Sequence, residues 1–120
     1  LLGLVYYDQK DFDKALLNFQ DVVKASKPTR RSKGDELGAE AQFRMGQCYY
    51  EQEMFDKAIE EYTKAETGFP FPLWQSMAMY EMAVTLARKG DEAEEQEQLK
   101  RLVEKFPDTP AAAEAKAKLK

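Results

Sequence analysis

Five carboxylates between positions 91 and 97 form the densest group of side chains in the sequence that could bind a metal or transfer protons. They are Asp91, Glu92, Glu94, Glu95 and Glu97. A carboxylate metal site needs a loop that turns its ligands toward one ion, and this segment has neither such a loop spacing nor a histidine to complete the shell. The dipole of a helix favours acidic side chains at its N-terminus. We therefore interpret the cluster as the start of a helix and predict no metal site.

Nucleophilic and acid–base chemistry has little support, because the chain has no histidine and a single cysteine, Cys48. The absence of histidine excludes Ser-His-Asp and Cys-His arrangements and His-ligated zinc. There is also no glycine-rich phosphate loop, no G-x-S-x-G and no C-x-x-C. Cys48 lies between Gln47 and Tyr49, in a segment expected to pack inward, which favours a buried, inert thiol over a nucleophile or redox switch. We predict no cofactor and no enzymatic activity, with an isolated carboxylate pair as the remaining catalytic alternative.

The composition is that of one domain, with 120 residues of which 43% are hydrophobic. Its net charge of −4 argues against general nucleic-acid binding, which needs a basic surface to neutralise phosphates. No apolar run approaches the roughly 20 residues of a membrane helix, so we expect no direct membrane insertion. A single cysteine permits no internal disulfide and leaves the redox compartment open.

A basic segment interrupts this acidic background. It has five cations around Pro28, namely Lys24, Lys27, Arg30, Arg31 and Lys33. Runs of like charge usually face water, so one interpretation is a solvated loop or helix end. The other is a contact with an anion or an acidic partner, or a phosphorylation sequence at Arg30-Arg31-Ser32.

The elements that position these groups are repeated along the chain. The pattern Met45-Gly46-x-x-Tyr49-Tyr50 matches Leu2-Gly3-x-x-Tyr6-Tyr7, which lies 43 residues earlier. Phe55-Asp56-Lys57-Ala58 matches Phe12-Asp13-Lys14-Ala15 in the same register. Self-similarity at such a period indicates a solenoid built from stacked units.

A third copy follows 37 residues after the second. In it, Met82-Ala83 corresponds to Met45-Gly46, and Phe106-Pro107 corresponds to Phe69-Pro70. A partial fourth copy begins at Ala113, in the same register.

The period and the placement of small and aromatic residues resemble the tetratricopeptide repeat (TPR), a helix-turn-helix unit of about 34 residues. The resemblance is closest in residues 39–70, where it rests on Gly46, Tyr49, Ala58, Tyr62, Ala65 and Pro70. Two departures are visible. Gln42 stands where the family often has a bulky apolar residue. Lys10 and Glu53 replace the glycine expected between the two helices of a unit, which only the third copy has, at Gly90.

The resemblance implies an all-α fold, an α-α superhelix of antiparallel helix pairs with a C-terminal capping helix. The predicted division is a truncated first repeat (1–27), a basic connecting loop (28–38), a second repeat (39–70), a third repeat (71–107) and a capping helix (108–120). Helices are expected at about 1–8, 12–26, 35–52, 55–67, 72–89, 92–105 and 111–120. Leu1, Leu4 and Val5 of the first helix are expected to face a neighbouring unit that is absent from the chain.

In the TPR family, the first helices of successive repeats line a concave groove that receives a peptide. The corresponding positions here are Tyr7, Phe43, Gln47, Tyr50, Met77, Tyr80, Val84 and Arg88, with Leu4 and Glu51 beside them. The family's clamp for a C-terminal carboxylate is not matched, so the resemblance implies an internal, partly apolar peptide segment as ligand. Alternatively, a neighbouring helix or a second molecule covers the stripe formed by Phe43, Tyr50 and Tyr80. The expected core positions are Met45, Tyr49, Ala58, Tyr62, Met82 and Leu86.

Two hypotheses for function follow from this reading. The first is a non-catalytic scaffold that binds a protein or peptide partner in the groove. The second is a homo-oligomerisation domain that associates through its N-terminal helix face or the groove. The junction at residues 106–115, Phe-Pro-Asp-Thr-Pro-Ala-Ala-Ala-Glu-Ala, also resembles repeats of bacterial cell-envelope TPR proteins of the Tol-Pal-associated and β-barrel assembly lipoprotein types. That resemblance implies a periplasmic scaffold, although a cytoplasmic scaffold can carry the same junction.

Overall fold

The structure is a computed structural model that describes residues 1–120 and contains seven helices and no β-strand. The helices are α1 (Leu2–Asp8), α2 (Phe12–Ala25), α3 (Glu36–Glu51), α4 (Phe55–Gly68), α5 (Pro72–Lys89), α6 (Glu92–Lys105) and α7 (Pro110–Lys118). The predicted all-α fold is therefore confirmed.

The helices stack in chain order as pairs, α1 with α2, α3 with α4 and α5 with α6, and α7 packs on α6 and α5. α3 also contacts α5, and α5 contacts α7, so the first helices of successive pairs form one layer. The second helices, α2, α4 and α6, form the other layer. We call the exposed surfaces of these layers the inner face and the outer face, respectively.

An apolar cluster lies at each level of the stack, because no single helix pair can bury its own apolar side. The first cluster surrounds Phe19 between α1, α2 and α3, and the second surrounds Tyr62 between α3, α4 and α5. The third surrounds Leu99 and Leu102 between α5, α6 and α7. Among the expected core positions, Met45, Ala58, Tyr62 and Met82 are buried, and Tyr49 and Leu86 pack at the cluster edges.

Side-chain caps fix where several helices begin. The carboxylate of Asp11 accepts a hydrogen bond from the backbone N–H of Lys14 at 3.3 Å, and that of Asp35 accepts from Leu37 N–H at 2.9 Å. Asp91 and Thr109 cap α6 and α7 in the same way. These caps satisfy backbone donors that have no partner within their helix.

The turns inside the three helix pairs share a left-handed backbone residue. Its φ is 60° at Lys10, 59° at Glu53 and 89° at Gly90. The two positions at which the sequence departs from the glycine of the family therefore keep the conformation for which glycine is best suited.

The two junctions between repeats differ in chemistry. Between the second and third repeats, the Glu66 carboxylate is 4% exposed and accepts hydrogen bonds from Arg101 Nη2 at 2.7 Å and Lys105 Nζ at 3.1 Å. Arg88 pairs with Glu53 at 3.2 Å, and Lys89 pairs with Asp56. No ion pair joins the first repeat to the second, where apolar packing around Phe19 dominates.

Two details differ from the sequence-based expectations. The loop after α2 spans residues 26–35 and α3 begins at Glu36, so the last residues of the predicted connecting loop (28–38) belong to the helix that was expected at about 35–52. At the N-terminus, Leu1 and Leu4 pack partly buried against the first core cluster, so they do not face outward as expected. The exposed apolar residues of this helix pair are Leu2 (55%), Val5 (49%) and Leu17 (62%).

Candidate functional site

The inner face holds seven of the eight predicted groove residues in exposed or half-buried positions. Tyr7 lies on α1, Gln47 and Tyr50 lie on α3, and Met77, Tyr80, Val84 and Arg88 lie on α5. Their spacing of three or four residues within each helix places them along one side of it. Side chains from three repeats therefore share this surface.

Phe43 is the exception, and the prediction that it lines the groove is wrong. It is 1% exposed, with its ring centroid 5.7 Å from that of Tyr62 and 5.6 Å from that of Trp74. The ring thus fills the contact between α3, α4 and α5 and offers no surface to a ligand. The alternative interpretation, that a neighbouring helix covers this part of the stripe, applies at Phe43.

Tyr80 occupies the position of Phe43 in the next repeat, 37 residues later, yet it is only half-buried. The reason lies in the residue that covers it. Trp74 covers Phe43, whereas the residue 37 positions after Trp74 is Ala111. The small Ala111 side chain leaves Tyr80 accessible at the C-terminal end of the inner face.

Aromatic rings and a cation form a compact cluster where α3, α4 and α5 meet. The rings of Tyr50 and Phe55 are 5.8 Å apart at 57°, and the Arg88 guanidinium carbon lies 5.3 Å and 4.9 Å from their respective centroids. Arg88 also donates to Glu53 Oε1 at 3.2 Å. Cation–π contacts and the ion pair hold this half-exposed aromatic surface in one arrangement.

Tyr7 links the first repeat to the second. Its hydroxyl donates a hydrogen bond to Glu51 Oε1 at 3.3 Å, and its ring packs edge-on against Phe12 at 5.8 Å. Burial, assisted by the Glu51 charge, raises the pKa of Tyr7 to about 12. The phenol therefore stays protonated and keeps donating throughout the physiological range.

A polar network on the inner face was not anticipated from the sequence. Arg44 lies 5.6 Å from the Phe43 ring and 5.8 Å from the Trp74 ring, and it donates to Gln47 at 2.8 Å and to Glu40 at 3.4 Å. Trp74 Nε1 donates to Glu36 at 3.2 Å. The available signal was the spacing of Glu40, Arg44, Gln47 and Glu51, which places four polar residues on one side of α3.

The C-terminal end of the inner face carries opposite charges. Lys118 Nζ lies 5.1 Å from the Tyr80 ring centroid. Burial raises the pKa of the Glu81 carboxyl, and the nearby Lys118 charge partly offsets this shift. The inner face is therefore a mixed surface, in which half-buried apolar side chains alternate with charged groups held by neighbours.

Cys48 is fully buried and unpaired, and burial raises the pKa of its thiol to about 12. No group of three or more cysteine or acidic side chains is arranged to hold a metal ion. None of the seven helices combines the length and apolar character that crossing a membrane requires.

Stacked helix pairs with small residues at the helix contacts and a continuous inner layer define an α-helical repeat protein. A tetratricopeptide repeat family model matches residues 1–70, and a second tetratricopeptide repeat model matches residues 77–109. The first match covers more than half of the chain, and the chain belongs to the TPR family. A comparison with curated proteins finds no match.

TPR repeats generally act as non-enzymatic modules of protein–protein interaction. This role agrees with the predicted function at the level of class. The matched models describe the repeat alone, so the cell-envelope affiliation stays a prediction.

Proposed function

We propose that the inner face binds a partly apolar segment of a partner protein. The observation that supports this most strongly is the set of half-exposed aromatic side chains on successive first helices, Tyr7 on α1, Tyr50 on α3 and Tyr80 on α5. Tyrosine offers a large contact area at low cost in conformational entropy and recurs at binding hot spots. Met77 and Val84 supply aliphatic surface between these rings.

The charges of the inner face suggest the polar part of the ligand. Arg44 and Arg88 are engaged by Glu40 and Glu53, respectively. Glu51 is exposed and has no cationic partner, although it accepts a hydrogen bond from Tyr7. A segment that combines apolar side chains with a lysine or arginine near Glu51 would complement this surface.

A random peptide library selected against the immobilised protein tests the proposal, followed by fluorescence anisotropy on the enriched peptides. We expect apolar peptides with a basic residue. The variant Tyr50→Ala, Tyr80→Ala should weaken their binding at least about tenfold, since truncation of a hot-spot residue typically costs more than about 1 kcal/mol. Tyr6→Ala is the matched control, because Tyr6 lies outside the inner face. Its ring instead lies beneath Lys14, whose Nζ is 5.8 Å from the ring centroid. Phe43→Ala is unsuitable, since it would open a cavity in the core.

Circular dichroism first establishes that all variants are equally helical. Peptides that bind wild type and the double tyrosine variant equally well would overturn the assignment of the inner face. A loss of binding in Tyr6→Ala as large as that in the double variant would do so too.

A second candidate is self-association through the N-terminal helix pair, and one observation favours it. Leu2, Val5 and Leu17 are each about half exposed or more. Sedimentation equilibrium at tens of micromolar tests it with Leu2→Glu, Val5→Glu beside wild type. A dimer that this variant abolishes supports self-association, whereas a monomeric wild type contradicts it.

The proposed location is the cell envelope, with the cytoplasm as the alternative. The support is the Phe106–Ala115 junction and the 37-residue period. Fractionation of cells that produce the protein, with periplasmic and cytoplasmic marker enzymes, distinguishes the two locations.

A further inference from the structure

The outer face contains a cleft of about 610 Å³ between α2 and α4, to which α3 also contributes Gln42 and Met45. None of its lining residues is a predicted groove residue. Val23, Met45 and Phe69 form its apolar lining, and each is less than a tenth exposed. Its volume lies within the range of ligand pockets, about 300–1,000 Å³, and is sufficient for one or two large side chains.

Gln42 explains why the cleft exists. It stands where the TPR pattern often has a bulky apolar residue, and it is 4% exposed. Its amide donates to the Glu61 carboxylate at 2.6 Å and to the Glu61 carbonyl oxygen at 3.1 Å. The amide side chain is thus held against α4, and the space toward α2 stays open.

Three lysines lie around the opening, Lys24, Lys27 and Lys64. Lys64 pairs with Glu61 at 3.2 Å, whereas neither Lys24 nor Lys27 pairs with a carboxylate. The Glu61 charge is therefore already satisfied by Lys64 and the Gln42 amide, and the rim keeps two unpaired positive charges.

The loop that follows extends this basic rim. Thr29 and Ser32 exchange backbone hydrogen bonds of 2.8 Å and 3.4 Å, which makes the loop a compact hairpin with Arg30 and Arg31 at its tip. Neither arginine forms an ion pair. Unpaired cations thus continue from the cleft onto the hairpin, although the whole chain has a net charge of −4.

We propose that this outer cleft is a second protein-binding site, which takes an acidic peptide segment with one bulky apolar side chain. The apolar side chain enters the cleft between Val23 and Phe69, and the carboxylates of the segment lie along Lys24, Lys27 and the hairpin. Charge complementarity selects an acidic occupant, and the apolar lining selects a peptide over a plain polyanion. The site is separate from the inner face, so the protein would join two partners.

A fluorescein-labelled peptide of six acidic residues around one central leucine serves as the probe, in fluorescence anisotropy at low ionic strength. The charge-reversal variant Lys24→Glu, Lys27→Glu should weaken its binding at least about tenfold, since loss of close charge complementarity costs over about 1.4 kcal/mol. Lys100→Glu, Lys116→Glu is the matched control, because it makes the same change in net charge away from the cleft. This control should retain more than half of the wild-type affinity.

Two further variants report on the cleft and on the inner face. Thr67→Trp places a large ring at the exposed edge of the cleft without altering the core, and it should also weaken binding. Tyr50→Ala, Tyr80→Ala should leave binding of the acidic peptide unchanged, so failure of this proposal is distinguishable from failure of inner-face binding. Replacement of the peptide leucine by serine should reduce affinity several-fold.

Three outcomes would overturn the proposal. Equal losses of peptide affinity in Lys24→Glu, Lys27→Glu and in Lys100→Glu, Lys116→Glu would mean that the peptide responds only to the net charge of the protein. An oligonucleotide of equal charge that binds as tightly as the peptide would identify a general anion surface. Self-association of wild type at low salt, abolished by Lys24→Glu, Lys27→Glu, would identify an acidic surface of a second copy as the occupant.

Discussion

Gly46 lies directly against the ring of Tyr62, and a Cβ atom at position 46 would stand 2.4 Å from Tyr62 Cε1. The same relationship recurs 43 residues earlier, where a Cβ at Gly3 would stand 2.5 Å from Phe19 Cε1. The repeated glycine of the sequence therefore marks the place where the two helices of a unit touch. The buried ring has no room to move aside, because Phe43 packs on it.

Gly46→Ala should destabilise the protein by about 1–3 kcal/mol, the usual cost of overpacking a core. Urea unfolding followed by circular dichroism measures this as a lower midpoint at an unchanged slope. Gly68→Ala is the control, because no atom beyond its own turn of helix lies within 4 Å of its Cβ position, and it should be neutral or slightly stabilising. A Gly46→Ala variant as stable as Gly68→Ala would contradict the argument.

Lys10→Gly should stabilise the protein modestly. A non-glycine residue in the left-handed region costs about 1–2 kcal/mol, and the greater freedom of glycine in the unfolded chain offsets about 0.4–1 kcal/mol of that. The net gain is about 0.5 kcal/mol, visible as a higher urea midpoint. Lys10→Ala keeps the strained φ of 60° and should show no gain. If alanine stabilises as much as glycine, the backbone conformation is not the cause.

Stability should decline at alkaline pH, and the sign follows from three weakly acidic side chains that are wholly or partly buried. Burial raises the pKa of Cys48 and of Tyr7 to about 12, and it raises the pKa of Tyr62 further. These groups lose protons more readily in the unfolded chain than in the folded protein. Their contribution to the free energy of unfolding is therefore complete below the ordinary pKa values of about 9 to 10, and it is lost as the pH rises toward 12. Urea midpoints at pH 7, 9, 10 and 11 should fall progressively above pH 9.

The same burial makes Cys48 unreactive. At pH 8 the folded protein should react with Ellman's reagent slower by orders of magnitude than the protein in guanidinium chloride, since the thiolate is the reactive form. Burst labelling of the folded protein at the rate of a free thiol would contradict the buried position.

Arg101→Met, Lys105→Met should destabilise the protein by about 2 kcal/mol, because it leaves the buried Glu66 carboxylate without a cation. The figure is below that for a fully buried pair, since both cations are about half exposed. Adding Glu66→Met to this double variant should restore most of the lost stability, because no buried charge is then left unpaired. Lys100→Met removes only an exposed pair with Glu97 and should change little. A double variant no less stable than Lys100→Met would show that Glu66 does not depend on these cations.

Helix positions were predictable because their causes are local. Asp11, Asp91 and Thr109 cap α2, α6 and α7 close to where the sequence predicts these helices to begin, and Gly90 ends α5. The burial of Phe43 was not predictable, since it depends on Trp74, a residue 31 positions away on another helix. The outer cleft was likewise visible only as an unexplained polar residue, Gln42. What a side chain faces depends on which residue the next repeat places over it, and the repeat pattern does not specify that residue.

The contrast between the two repeat junctions has a mechanical consequence. The junction around Phe19 is held by apolar packing, whereas the junction between the second and third repeats adds ion pairs of Glu66, Glu53 and Asp56 to its apolar packing around Tyr62. Salt screens exposed pairs and leaves apolar packing intact or stronger. The junction between the second and third repeats is therefore the one that loses ion-pair contacts as the ionic strength rises, so the salt concentration adjusts how firmly the third repeat is held on the second.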